Sequence, residues 1–254
     1  MTVRSDNIHV QCNEWANAPV ASGVAVWILP HLGEDTLFDF SIISSADRKA
    51  AARYKAAPQR RRFLATRVLL RLALTKASQG QVAATEWRFE ESALGKPYIA
   101  ADLPQIQFSI SHNDVASVVA ISRTAVVGVD IERLDQEING SLIDFFCSGH
   151  ERIQLRRMSK AERSLAFLKL WTLKEAYSKM IGFGLLQDFC ALEFDSKPLR
   201  LVGDPSSRFK SSIRIIGGTP CRISLAWLSV GLDQPSLCSI GSRASDCALQ
   251  QASA

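Results

Sequence analysis

The chain has no Cys-x-x-Cys pair, no clustered histidines and no apolar run near the roughly 20 residues that a membrane-spanning helix needs. Its six cysteines, Cys12, Cys147, Cys190, Cys221, Cys238 and Cys247, are scattered. That scatter argues against a zinc site and a disulfide framework and reads as reduced cysteines used for packing. The four histidines are equally dispersed, so no His/Cys metal centre is expected. The first twenty residues carry charged and polar groups without an apolar core segment, so no secretory leader is expected and a cytoplasmic location is predicted. Acidic residues are also missing from one stretch: from Arg48 to Lys76 there are ten basic residues and none of opposite sign. Such a block suggests an anionic partner, whether nucleic acid, a phosphorylated cofactor or an acidic protein, and its bland meaning is a solvated basic helix face.

What is present is the composition of a soluble protein with a real core. The 254 residues are 47% apolar and 22% charged, enough for one large domain or two ordinary ones. Residues 23–30, rich in Val, Ile and Trp, predict a strand stopped by Pro30. A helix capped by Ser44 or Ser45 should start at Ala46 and be ended or kinked by Pro58, with a second over 59–77. Its apolar residues fall at helical spacing, which leaves Arg60, Arg61, Arg67 and Arg71 largely on other faces. Strands are predicted over 86–90, 106–111, 115–122 and 125–134, with a turn at 92–97. Helical patterns resume near Leu142 and again over 161–180, where Gly182 and Gly184 suit a left-handed end. Further strands are expected at 192–194, 209–216 and 223–230, and the last twenty residues read as disordered. Two halves, each mixing helix and strands, meet near 122–135, yet no repeat is visible residue by residue.

Three local patterns carry possible chemistry. In Val126-Val127-Gly128-Val129-Asp130-Ile131-Glu132 the period of two puts Asp130 and Glu132 on one face of a strand, their Cα atoms about 7 Å apart. At an effective dielectric of 20 the two carboxylates repel by roughly 2 kcal/mol, which a cation would reverse. Oxygen ligands so spaced suit Mg²⁺, although a bare pair of this kind is usually an exposed strand face. In Trp171-Thr172-Leu173-Lys174-Glu175-Ala176-Tyr177-Ser178-Lys179, Glu175 and Lys179 lie one helical turn apart and share a face, commonly a surface pair of a few tenths of a kcal/mol. His112, following Ser111 at a hairpin tip, and Lys96 in Gly95-Lys96-Pro97 each mean little alone.

In this order, Phe108-Ser109-Ile110-Ser111-His112, then Val127 to Glu132, then Trp171 to Lys179 resemble the three signature motifs of surfactin-synthetase-type 4'-phosphopantetheinyl transferases. Gly95-Lys96-Pro97 and the strand ending near Trp27 look like the same family, and the resemblance runs from about residue 23 to 230. It implies an α+β, pseudo-twofold fold: two similar halves, each a small antiparallel sheet packed on a long helix, residues 1–124 and 125–232, with a flexible tail at 233–254. A monomer is implied, as is transfer of 4'-phosphopantetheine from coenzyme A to a serine of an apo acyl, peptidyl or aryl carrier protein, without a nucleic-acid or membrane partner. The carrier itself, whether of fatty acid, polyketide, nonribosomal peptide or siderophore synthesis, cannot be read from the sequence.

By the same resemblance Asp130, Glu132 and Glu175 would hold Mg²⁺, and Lys179 would sit on the phosphate side. Lys96, Ser111, His112, Arg62 and Arg48 would contact coenzyme A, with His112 near its 3'-phosphate. The carrier serine would lose its proton to Glu175 or Glu151. Phe145-Phe146 precedes Glu151 by one residue more than the family form, which puts His150 in competition for that place, and Ser109-Ile110 stands where Asn-Leu is common. The rival readings are a nucleic-acid-binding basic helix and a carrier-binding module without catalysis.

Overall fold

The computed structural model describes residues 2–5, 8–14, 23–31, 40–184 and 187–229. The predicted tail at 233–254 lies outside them. The first lobe runs β1 (Thr2–Ser5), β2 (Ile8–Glu14), β3 (Val24–Pro30), α1 (Ser45–Ala51) and α2 (Ala57–Ala77). It continues with a small hairpin, β4 (Phe89–Glu91) and β5 (Pro97–Ile99), and a larger one, β6 (Gln107–His112) and β7 (Ala116–Ser122). The second lobe opens with β8 (Ala125–Arg133), followed by α3 (Gly140–Phe146), α4 (Gly149–Arg156) and α5 (Lys160–Ile181). Again a small hairpin follows, β9 (Phe194–Ser196) and β10 (Leu199–Leu201), then a larger one, β11 (Arg208–Ile216) and β12 (Thr219–Ser229).

From β3 onward both lobes run strand, helices, small hairpin, large hairpin, and three strands of each sheet share one order: β3-β7-β6 in the first, with β2 and β1 added beyond β3, and β8-β12-β11 in the second, all antiparallel. The period of two gives each sheet two apolar faces. Trp27, Leu29, Val119 and Ile121 face α2 residues Val68, Leu69 and Leu70. The alternate residues Val26, Ile28, Val118 and Ala120 meet Val127, Val129, Ile131, Ile223 and Leu225 of the other lobe in one dry layer. The lobes are joined sheet to sheet, and each long helix covers an outer face.

The relation reaches single hydroxyls. Thr66 of α2 donates to the carbonyl of Arg62 at 2.8 Å and shares a 2.7 Å hydrogen bond with Ser117 of β7. Thr172 of α5 donates to the carbonyl of Leu168 at 2.8 Å and shares a 2.7 Å bond with Ser224 of β12. Each lobe also ties a short helix to its long one by a buried ion pair. Asp47, capped by Ser44, meets Arg71 at 2.5 Å and Arg67 at 3.4 Å. Glu151, in a capping box with Ser148, meets Lys174 at 2.5 Å.

Several expectations change. Pro58 does not end α1, which stops at Ala51; it sits in the first turn of α2, where a missing N–H costs nothing. The strand expected at 86–90 forms at 89–91, and the one expected at 192–194 forms at 194–196 after a 3-10 turn. Arg67 and Arg71 do not lie on a solvated basic face: they are 7% and 1% exposed and turned towards Asp47.

Candidate active site

The site forms where β6 of the first lobe runs beside β8 and the end of α5. Gly128 makes this approach possible: a Cβ there would lie 1.9 Å from the Ala176 carbonyl oxygen and 2.6 Å from the Met180 nitrogen. With no side chain in the way, α5 lies directly on β8, and Asp130 and Glu132 project from the same strand face beside Glu175 and Lys179. The Ser109 hydroxyl accepts from the Val129 N–H at 3.1 Å and stitches β6 to β8. The serine found where the family commonly has Asn thus does inter-lobe work.

Three expected residues are in direct contact. Asp130 Oδ1 accepts from Ser111 Oγ at 2.8 Å and from Lys179 Nζ at 2.7 Å, and Lys179 also reaches Ser111 Oγ at 3.0 Å. The second oxygen, Asp130 Oδ2, is buried and has no partner among the described residues. Glu132 accepts from the Trp171 indole and from Gln136, both at 3.3 Å. Burial raises the Glu132 carboxyl above the usual range and Asp130 adds to this, against the two hydrogen bonds. Burial likewise raises Glu175; Lys179 opposes the shift while Asp130 and Glu132 reinforce it. His112 is held below the ordinary imidazole range by burial and by the charges of Arg62 and Lys179.

Among the described residues no three His, Cys, Asp or Glu side chains close into a ready-made metal cage. Mg²⁺ nevertheless fits the donor chemistry: an orphaned buried carboxylate oxygen on Asp130, beside two carboxyls, Glu132 and Glu175, whose ionisation the Asp130 charge opposes. An open set of this kind suits an ion that keeps waters and phosphate oxygens in its remaining positions. Lys179 supplies positive charge to Asp130 meanwhile.

The other expected residues fall in different places. Arg62 lies close enough for its charge to act on both His112 and His31. Arg48 donates to the Phe40 carbonyl at 2.8 Å, and no described contact brings it to the carboxylates. Lys96 lines a cleft of about 210 Å³ together with Lys179, Phe108, Ile110 and Gly182. Its amine, pushed down to about 8 by burial, donates to the Met180 carbonyl at 2.8 Å.

Glu151 lies in a separate buried cluster. It is 2% exposed, Oε2 accepts from Lys174 Nζ at 2.5 Å and from Ser148 N at 2.8 Å, and Oε1 accepts from Phe194 N at 3.0 Å. Its carboxylate ties α4, α5 and β9 together. His150 is exposed and pairs with Gln154 at 2.6 Å. Trp171 stood in the motif without a role, and its link to Glu132 runs across 39 residues of sequence, beyond any local pattern.

Residues 126–210 match the family model described as the 4'-phosphopantetheinyl transferase superfamily, and residues 31–124 match the one described as 4'-phosphopantetheinyl transferase, N-terminal. The 4'-phosphopantetheinyl transferase ffp of Bacillus subtilis is 32% identical over 171 residues, 67% of this chain and 72% of that protein. The 4'-phosphopantetheinyl transferase gsp of Aneurinibacillus migulanus is 39% identical over 97 residues, 38% of this chain and 39% of that protein. The mouse L-aminoadipate-semialdehyde dehydrogenase-phosphopantetheinyl transferase is 32% identical over 147 residues, 52% of this chain and 45% of that protein. The matches to these last two span less than half of their length. From the two adjoining family models and the extent of the ffp match, the chain belongs to the 4'-phosphopantetheinyl transferase superfamily.

Proposed function

We propose that the protein is a transferase of the surfactin-synthetase type, moving 4'-phosphopantetheine from coenzyme A to a serine hydroxyl of an apo acyl, peptidyl or aryl carrier protein. The observation that carries this reading is the Ser111–Asp130–Lys179 contact, which joins a first-lobe hydroxyl to a second-lobe carboxylate and cation and leaves one Asp130 oxygen without a partner. Asp130, Glu132 and Glu175 are the residues that would hold Mg²⁺. When bound, the ion supplies positive charge to the pyrophosphate oxygens and to the departing group.

Phosphoryl transfer asks little covalent chemistry of the protein beyond placing the reactants and neutralising charge. Lys179, with its ammonium between Ser111 and Asp130, neutralises the phosphate side. Ser111, His112 and Arg62 form the first-lobe wall for the nucleotide. The His112 imidazole, disfavoured as a cation by burial, Arg62 and Lys179, gains a proton more readily once a phosphate dianion lies against it. The Glu175 carboxylate accepts no hydrogen bond among the described residues and is open to take a proton from the carrier serine. The carrier serine oxygen bonds to the β-phosphorus of coenzyme A as the pyrophosphate P–O bond breaks. The serine proton passes to Glu175, and 3',5'-ADP leaves.

The test is the intact mass of apo carrier proteins incubated with the enzyme, coenzyme A and Mg²⁺, with an EDTA control. A gain of one phosphopantetheine, abolished by EDTA and by Asp130→Ala in a variant with unchanged circular dichroism, is expected. No gain on peptidyl, acyl or aryl carriers would sink the transferase reading, and full activity of Asp130→Ala would remove Asp130 from the metal set.

A further inference from the structure

Lys96 lines the cleft with Lys179 and is engaged with the backbone of α5. It lies in the turn between β4 and β5, in the first lobe, and its ammonium donates at 2.8 Å to the carbonyl of Met180, 84 residues away in the last turn of α5. The final carbonyls of a helix lack intrahelical donors, and a cation near them is favoured by the helix dipole. Here the Gly182 N–H closes on Ser178, while Met180 takes its donor from the other lobe. The approach is tight: a Cβ on Gly182 would lie 3.3 Å from Lys96 Cδ, and Gly182 itself has φ +87°. Glycine therefore both turns the chain at the helix end and leaves room for the lysine stem.

We infer that Lys96 is a positioning residue of the transfer site, capping α5 from the opposite lobe and thereby fixing the turn that carries Lys179. Lys179 immediately precedes Met180 and reaches Ser111, so the last turn of α5 is held to the first lobe at two points, one on its backbone and one on its side chain. Burial also disfavours the Lys96 cation, and no carboxylate contributes to its shift. An amine engaged in this way acts on the chemistry through α5. The inference rests on the transferase reading for its kinetic consequence and on the helix cap alone for its structural one.

Lys96→Met keeps the stem and removes the donor. A small displacement of Lys179 is expected to lower kcat about tenfold to a hundredfold. KM for coenzyme A and Kd for 3',5'-ADP should stay within about threefold, because the nucleotide contacts remain. Hydrogen exchange of the amides at 178–182 should accelerate about tenfold or more as the last turn frays, with α2 amides unchanged as the control for folding. A tenfold rise in KM and Kd with unchanged exchange would overturn the inference in favour of a direct phosphate contact. Faster exchange with unchanged kcat, or no change in any of these, would overturn it too. If the wild-type chain modifies no carrier, the transferase reading fails, and the exchange measurement still decides whether Lys96 caps α5.

Discussion

Glu151 and Glu175 are both glutamates on helices of the second lobe, and their surroundings differ. Three donors converge on Glu151, which is 2% exposed; Glu175 takes no hydrogen bond among the described residues, and burial and its carboxylate neighbours raise its pKa. Glu151→Gln keeps the shape but removes the partner of the buried Lys174 ammonium, which typically costs about 3–5 kcal/mol. The expected outcome is a clearly lower unfolding midpoint in urea, with kcat per folded molecule preserved. Loss of kcat with an unchanged midpoint would return Glu151 to the chemistry. The sequence did show that Asp130 and Glu132 share a face, because that follows from a two-residue period. The burial of Glu151 was hidden: beyond the local Ser148, its partners lie at Lys174 and Phe194, 23 and 43 residues away. The inward turn of Arg67 and Arg71 was hidden for the same reason, since their carboxylate comes from α1.

At the scale of elements, the site depends on how closely β8 and α5 pack. Gly128→Ala would place a methyl group against backbone atoms of α5, which cannot swing aside as a side chain can. Overpacking of this kind typically costs about 1–3 kcal/mol and here would push the helix bearing Glu175 and Lys179 off the strand bearing Asp130 and Glu132. Gly128→Ala should therefore lose activity even where circular dichroism shows it folded, and a variant with wild-type midpoint and activity would contradict the packing. These two elements were also the most legible. The strand expected at 125–134 is found at 125–133, and the helix expected at 161–180 at 160–181, because alternation, helical periodicity and Gly182 are all local signals. The three-residue hairpin strands were read less well. Segments so short have no periodicity to detect, and pairing places them, as with Phe89 opposite Ile99.

At the scale of the molecule, the two lobes repeat one plan but share one site, and the register says why. Leu29 lies opposite Ser117 as Asp130 lies opposite Ser224, and these two serines are bonded alike to Thr66 and Thr172. Counting from those anchors, the first-lobe counterparts of Asp130, Glu132, Glu175 and Lys179 are Leu29, His31, Leu69 and Ala73. Leu29, Leu69 and Ala73 are core residues with at most 1% exposure, so none of the four first-lobe positions carries a carboxylate, whereas three of their second-lobe counterparts do. The repeat is invisible in the sequence because what persists is the alternation and two hydroxyl pairs, while the side chains at the paired positions have diverged. The chain holds both halves, with their sheets buried against each other. Native mass spectrometry with coenzyme A and Mn²⁺ in place of Mg²⁺ is accordingly expected to show a monomer carrying one nucleotide and one ion. A second ion per chain would mean that the first lobe has a metal site without these carboxylates. A dimer or trimer that alone binds coenzyme A would mean that residues from a neighbouring copy complete the site.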